Sequence, residues 1–359
     1  MFETFTLRWL RWRRPNPPPL YPLPDGVERI FIDTPGGKLE ILYARPQGAT
    51  RPDATPLFFV HGGMGGAWVW HEYLSFFSAR GIPCYAVSMR GHGGSYYPSY
   101  LRMVYMTTKR MLADDVVAGL RWAQEREGGR EVVLVGHSSG GGLSQLILSD
   151  GDVRVKGLVL VGATPGFGSF RVYTSWMSMD PWFLPRMWFQ FGHSNSPLSH
   201  PTLTWNAFFS RAQSPAFVEA FHERLTPYES FLWSLGMSRP FVNMRNVVAQ
   251  IAGWDKDQSD MGKHQNLMIL AGELDTLMRV PIMEDLANTY RVACVGLASQ
   301  KKKLKDVRAE VVPLDGEGDR DNAGYGVRFC MVPKAGHHMQ NDIPWEVGAQ
   351  KLMAFYEQL

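Results

Sequence analysis

The sequence predicts an α/β fold with a mostly parallel central sheet flanked by helices and a helical insertion (a cap, or lid) placed in it. Three observations carry that prediction. Short apolar runs of strand length alternate with segments of helical periodicity along most of the 359 residues, the pattern of a parallel sheet covered on both faces. One strand–helix junction, Glu131 to Gly142 (EVVLVGHSSGGG), turns sharply through G-x-S-x-G. From about 166 to 263 the alternation stops and aromatic residues crowd together.

In order, residues 1–25 form an arm. Phe2, Phe5, Leu7, Trp9, Leu10 and Trp12 are interleaved with Arg8, Arg11, Arg13 and Arg14, and a Pro-rich connector, Pro15–Pro24, follows. Such an arm could lie on a membrane surface as a basic amphipathic helix, but one short segment is a marginal anchor, and packing on the body is the favoured reading. Residues 26–165 are the first part of the core. Val27–Asp33 and Leu39–Ala44 make an edge hairpin around Pro35-Gly36-Gly37. Pro56–Val60 and Cys84–Ser88 are buried strands, with a helix from Trp70 to Arg80 between them and another from Met111 to Glu125 after them. Val132–Val135 leads into the G-x-S-x-G turn and the helix Leu143–Leu148, and Gly157–Val161 is the next strand. Residues 166–263 are the helical insertion, with a helix start at Ser214-Pro215-Ala216. Residues 264–359 complete the core: strand Asn266–Ala271, helix Pro281–Leu297, a short strand Val307–Val312, a polar loop Leu314–Gly326, strand Phe329–Val332 and a closing helix from Trp345 to Leu359.

Hydrophobic residues make up 45% of the chain, enough for one large domain with an insertion or for two domains. A net charge of +3 gives no global attraction for nucleic acid. Cys84, Cys294 and Cys330 are too few, and odd in number, for a disulfide framework, which favours a reducing, cytoplasmic location. Cys84 and Cys330 fall in strands and read as small core residues. No run of about 18 apolar residues announces a transmembrane helix, and the Arg-studded N-terminus does not have the form of a secretory signal. A location peripheral to a membrane is the variant that the arm allows.

The glycine loop His61-Gly62-Gly63-Met64-Gly65-Gly66 sits between a strand and a helix, where a dinucleotide site could form. It does not match G-x-G-x-x-G, no acidic residue ends the next strand, and G-K-[ST] is absent. His71-Glu72 is not a zinc motif, because position 75 is Ser. No metal-ligand spacing appears, so neither metal nor cofactor is expected. What remains is a loop of bare backbone N–H groups able to approach a ligand.

Three chemistry-bearing residues follow predicted strands in the order Ser138, Asp275, His337, at the strand ends where parallel sheets build their sites. A serine hydroxyl needs a base, an imidazole titrates in the right range, and a carboxylate can hold the imidazole's tautomer. The elbow has the composition that such chemistry needs. Gly136 and Gly140 avoid clashes in a tight turn, and the new helix offers free N–H groups beside the serine.

These residues resemble the α/β-hydrolase superfamily, in the branch with a helical cap. The matching motifs are His61-Gly62-Gly63, Arg90-Gly91-His92-Gly93, Gly136-x-Ser138-x-Gly140, Gly272-x-x-Asp275 and Gly336-His337, over residues 28–165 and 264–359. The resemblance implies Ser138 as nucleophile, His337 as base and Asp275 as its orienting acid. It also implies an oxyanion hole from the backbone N–H groups of Ser139 and Gly63, with Met64 as second choice. Ser139 could stand in for Ser138, His338 for His337, and Glu273 or Asp255 for Asp275. His61, Trp68, His137, Trp176 and Trp182 are the expected substrate contacts. Serine at the elbow argues against epoxide or haloalkane chemistry. The expected activity is hydrolysis of an ester, thioester or lactone of an apolar small molecule, the Met- and aromatic-rich cap fitting an irregular apolar group. Two alternatives stay open: acyl transfer, lyase or condensation chemistry on the same fold, and a non-catalytic small-molecule-binding protein.

Overall fold

The computed structural model describes residues 2–48, 51, 53–254, 265–300, 311–314 and 320–359. The core strands are β1 (Val27–Thr34), β2 (Gly37–Ala44), β3 (Leu57–Val60), β4 (Cys84–Ser88), β5 (Val133–His137), β6 (Gly157–Val161), β7 (Leu267–Gly272), β8 (Val312–Pro313), β9 (Asn322–Gly324) and β10 (Val327–Val332). They form one sheet in the order β1-β2-β4-β3-β5-β6-β7-β10-β9-β8. The run from β4 through β3, β5, β6 and β7 to β10 is parallel. The strands at either end of that run pair antiparallel.

Burial follows composition. β3 to β7 are buried along their whole length because helices cover both faces, whereas the edge strand β1 alternates between buried and exposed. The core helices are α1 (His71–Ser78), α2 (Tyr100–Met106), α3 (Lys109–Arg126), α4 (Ser138–Ser149), and, later in the chain, α11 (Val280–Gln300) and α12 (Trp345–Tyr356). Phe59 on β3 packs with Trp70, Tyr73 and Phe77, and each such buried ring stabilises the fold by about 2–3 kcal/mol. Cys84, Cys294 and Cys330 are buried free thiols.

Several expectations need correction. α1 spans His71–Ser78 rather than the expected Trp70 to Arg80, and Trp70 closes a separate 3-10 turn, Ala67–Trp70. α2 carries no sequence signal: only Met103 and Val104 are buried on it, too few to give a period. Part of the polar stretch Leu314–Gly326 is strand. Asn322–Gly324 pairs antiparallel with β10 across a tight turn at Tyr325 and Gly326, both of which have positive φ. Backbone pairing and that turn make the strand without an apolar run. Of the expected strand Val307–Val312 only the last residues are described, and the lysine cluster at 301–305 lies outside the described residues.

The stretch between β6 and β7 holds α5 (Phe170–Met179), α6 (Phe183–Phe189), α7 (Pro201–Phe208), α8 (Pro215–Glu223), α9 (Phe231–Gly236) and α10 (Met244–Ala249). α8 starts where Ser214 caps it, its hydroxyl accepting from the Phe217 N–H at 3.2 Å. The insertion is tied to the loops at the carboxyl ends of the strands: Thr226 N–H donates to Met64 O at 2.9 Å, and His338 N–H to Phe208 O at 2.8 Å. Ser210 N–H and Oγ–H both donate to the Asp342 carboxylate, at 2.7 and 2.9 Å.

Apart from a 3-10 turn at Phe2–Thr4, the arm is not helical, and it packs on the insertion. Gln190 Nε2 donates to Thr6 O at 2.7 Å and His193 Nε2 to Arg11 O at 3.1 Å. Phe5 meets Trp182 and Phe189 edge-on, Trp9 meets His222, and Trp12 meets His193. Among the described residues no helix is long and apolar enough to cross a membrane.

Candidate active site

β5 delivers the elbow. Its last residue, His137, is extended, and Ser138 opens α4 with φ of +52°, a left-handed conformation that costs a non-glycine residue energy and persists only where the surroundings enforce it. The surroundings here are two close approaches. A Cβ on Gly140 would lie 2.0 Å from His61 O, and one on Gly62 would lie 2.7 Å from Ser138 Cβ. The glycines therefore let the β3 loop and the elbow touch. Ser139 lies in the first turn of α4, where its N–H has no acceptor within the helix.

β7 and β10 are neighbours in register, Gly272 opposite Val332, so the loops that follow them lie side by side. From one comes Asp275, from the other His337. His337 Nδ1 is 2.8 Å from Asp275 Oδ2, and His337 Nε2 is 2.9 Å from Ser138 Oγ. Asp275 Oδ1 accepts the N–H groups of Leu277 and Met278, both at 2.8 Å, which fixes the carboxylate and satisfies its second oxygen. Asp275 and His337 are buried, while Ser138, Ser139, Gly63 and Met64 are partly exposed together. The line of contacts thus ends at a partly exposed serine beside the glycine loop.

The alternatives fall elsewhere. Ser139 Oγ accepts the Gly63 N–H at 3.0 Å. His338 is buried beneath Phe208, with ring centroids 4.4 Å apart, and its Nδ1 faces Asn341 at 3.3 Å. Glu273 accepts the Lys334 N–H at 2.7 Å. Asp255 lies outside the described residues.

Most of the expected substrate contacts need correction. His61 is fully buried; its Nδ1 donates to Gly62 O at 2.7 Å and its Nε2 accepts from Met89 N–H at 3.2 Å, so both ring nitrogens are spent on backbone. His137 is equally buried and donates through Nε2 to His337 O at 3.0 Å. Burial holds the pKa values of His61, His137 and His338 well below the ordinary imidazole range, and neighbouring imidazoles add to the effect. These rings are neutral props under the site. The Trp68 ring is taken up by Phe221 and by the Arg224 guanidinium, 4.7 and 4.3 Å away. Trp182 lies on the outside of the insertion under Phe5 and is 44% exposed. Trp176 is partly buried on α5, one turn before Met179, whose sulfur lies 3.3 Å from the Thr276 hydroxyl beside Asp275.

A second imidazole–carboxylate pair joins the insertion to the core, and the sequence motifs do not announce it. Glu229, from the insertion, is 5% exposed. Its Oε2 lies 2.8 Å from His92 Nε2 and accepts the Met64 N–H, also at 2.8 Å. His92 Nδ1 faces Arg90 O at 2.9 Å, so both of its ring nitrogens meet acceptors, and only an imidazolium can donate to both. Burial opposes that charge, yet the Glu229 carboxylate and the Arg90 carbonyl carry the His92 pKa above its ordinary value. Arg90 is itself held in a forked pair by Asp115, at 2.7 and 2.6 Å. One signal for Glu229 was present in the sequence: it is the sole carboxylate between 224 and 254.

Among the described residues no group of three or more His, Cys, Asp or Glu side chains is placed to hold a metal ion. A cavity of about 320 Å³, lined by Lys156, Ile251, Trp254, Gln265 and Leu267 among others, lies at the amino ends of β6 and β7, the far side of the sheet from Ser138.

The chain belongs to the alpha/beta hydrolase family, whose model matches residues 57–342. Among solved structures it is similar to the carboxylesterase CesB of Bacillus subtilis, at 16% identity and a TM-score of 0.55, covering 99% of this chain and 96% of that one. It is also similar to a membrane phospholipase A described as a bacterial virulence factor, at 16% identity and a TM-score of 0.55, covering 92% and 86%. An esterase from Thermogutta terrifontis matches at 16% identity and a TM-score of 0.53, covering 92% and 98%. At these identities the likeness is one of fold.

Proposed function

We propose that the chain is a serine hydrolase of esters, thioesters or lactones of apolar small molecules. The observation that carries this reading is the unbroken line from Asp275 through His337 to the Ser138 hydroxyl, with contacts of 2.8 and 2.9 Å. Esterase and phospholipase neighbours on the same fold are in keeping with it.

In this mechanism Ser138 Oγ attacks the carbonyl carbon while its proton passes to His337 Nε2, and Asp275 stabilises the imidazolium. The negative charge that develops on the carbonyl oxygen is met by the N–H of Ser139 and that of the glycine loop. The engagement of the Met64 N–H by Glu229 favours Gly63 as the second donor, since the Gly63 N–H is held only by the Ser139 hydroxyl, which a χ1 rotation releases. Collapse expels the alcohol or thiol, which takes the proton from His337; for a lactone it stays attached to the acyl group. Water then attacks the acyl-enzyme, giving its proton to His337, and the carboxylic acid leaves as Ser138 is reprotonated.

The insertion acts as the cap. Its Phe208 ring lies 5.9 Å from that of His337 and supplies an apolar wall, and Trp176 beside Met179 is the aromatic candidate for another.

The test pairs two measurements. A fluorophosphonate should label Ser138 covalently, and p-nitrophenyl esters of graded acyl length should turn over with a preference for apolar chains, both lost in Ser138→Ala. Labelling without turnover of any ester, thioester or lactone would replace hydrolysis with transfer or lyase chemistry; absence of both would leave a binding protein.

A further inference from the structure

Helix α6 is built inside out. Its one charged side chain, Arg186, is fully buried, paired with Asp180 and donating to Ser196 O at 3.1 Å. Its apolar side chains face outward: Leu184 is 56% exposed, Trp188 85% and Phe189 45%, and Phe191 just beyond is 78% exposed. Exposed apolar residues are ordinary singly, but a cluster led by two nearly bare aromatics marks a surface that meets something other than water. The arm lies against this same cluster through Phe5 and carries Arg8, Arg11, Arg13 and Arg14, all exposed. None of the four arginines makes an ion pair among the described residues.

We infer that α6 and the N-terminal arm together form a docking surface for an anionic lipid bilayer. Tryptophan and phenylalanine suit the headgroup boundary, where an amphipathic ring meets both apolar and wet surroundings. The arginines complement negative headgroups. Carboxylates that would repel those headgroups are scarce: between 181 and 218 there are none, and the arm has only Glu3 and, at its far end, Asp25. Glu223, on α8, lies in the same cleft as Arg11 and Arg13. The scarcity of acids also decides between a bilayer and a second copy of the chain. A two-fold contact through this face would set arginines of both copies near each other with too few carboxylates to answer them. The arm thus need not become a helix to act. Held on the insertion, it adds charge to an apolar patch, and two signals together make an anchor that neither makes alone. The docking is separate from the hydrolase reading, since the Ser138→Ala chain should bind as well as the parent.

The test is co-sedimentation of the full chain with vesicles of phosphatidylcholine alone, and of phosphatidylcholine with phosphatidylglycerol, at low and high salt. Binding is expected on the mixed vesicles, weakening at high salt. The double variant Trp188→Ser/Phe191→Ser should lower partitioning by roughly tenfold or more, from the apolar area withdrawn. Each Arg→Gln change among the four should lower it on mixed vesicles by up to about fivefold. Because these side chains are exposed, the variants should keep the parent melting temperature. A parent chain that stays in solution with mixed vesicles overturns the proposal. So does a concentration-dependent dimer, seen by sedimentation equilibrium, that is abolished by Trp188→Ser/Phe191→Ser while vesicle binding is unchanged.

Discussion

Two buried imidazole–carboxylate pairs stand on either side of the glycine loop, and they differ in what lies at their far ends. In one, Asp275 holds His337 at 2.8 Å and the ring ends on the Ser138 hydroxyl. In the other, Glu229 holds His92 at the same distance, but the ring ends on the Arg90 carbonyl and the carboxylate on the Met64 N–H. The pair chemistry is nearly identical; the third partner separates them. A hydroxyl can surrender a proton and become a nucleophile, whereas a peptide group cannot. The first pair is therefore the one fit to serve as a relay, and the second is a brace that favours a charged histidine and pins the insertion to the loop. Their origins differ as well. Both partners of the relay come from strand ends of the core, while the brace joins the core to the insertion.

The comparison breaks most readily at the relay. Ser138→Ala or His337→Ala should lower kcat for ester hydrolysis by about 10⁵-fold or more, with KM little changed, because the nucleophile and its base act as a unit. Asp275→Asn should cost about 10⁴-fold, through the wrong imidazole tautomer. Both are measured by steady-state kinetics on a p-nitrophenyl ester. If Asp275→Asn were nearly silent while Glu229→Gln abolished turnover, the two pairs would have exchanged roles. The expected result for Glu229→Gln is milder. The loop keeps an acceptor for the Met64 N–H but loses its charge partner, so kcat should fall by about tenfold, well short of the 10²–10³ that deletion of an oxyanion donor costs. The uncompensated His92 charge should lower stability by about 3 kcal/mol, read from urea denaturation. Loss of stability without loss of kcat would make Glu229 a tether alone.

The meeting of Ser138, His337 and Asp275 was legible in the sequence and the brace was not, for one physical reason. Ser138, Asp275 and His337 each follow an apolar strand, so local patterning marks the ends at which they sit, and the parallel topology gathers those ends. Glu229 follows no strand, and its partners are 137 and 165 residues away. Its role depends on how the insertion folds back, which no local period encodes. The same limit explains His61 and His137. They adjoin the motifs, yet the tight contact of Gly140 and Gly62 with the neighbouring chain turns them under the site. The aromatic crowding in the insertion pointed correctly to helices, α5 to α10, and misled at Trp182, because such crowding does not say which side faces inward. On α6 the ordering is reversed, with arginine in and tryptophan out. The hairpin end of the sheet, β9, was hidden because backbone pairing sufficed to form it.

The smallest effect, residue for residue, comes from the neutral histidines around the two imidazole–carboxylate pairs. Burial holds His61, His137 and His338 well below the ordinary range. Burial, followed by the charge of Arg224, lowers His71 to about 3, and burial with His200 lowers His222 to about 4. In the unfolded chain each takes up a proton near pH 6.5, ahead of the folded protein. Their contribution is therefore complete above that pH and is lost as pH falls from it toward the folded values, by at most about 1.4 kcal/mol per pH unit for each ring. His92 has the opposite sign: raised in the fold, its contribution is present below pH 6.5 and lost as pH rises through its folded value. Urea midpoints should thus fall steadily from pH 7 to pH 5, and His222→Asn should make that fall shallower. Replacing His92 with Gln should steepen it, because a ring that favours the fold in acid is gone. A midpoint that held level from pH 7 to pH 5 would mean that the supporting rings accept protons in place, and that their reading as neutral props is wrong.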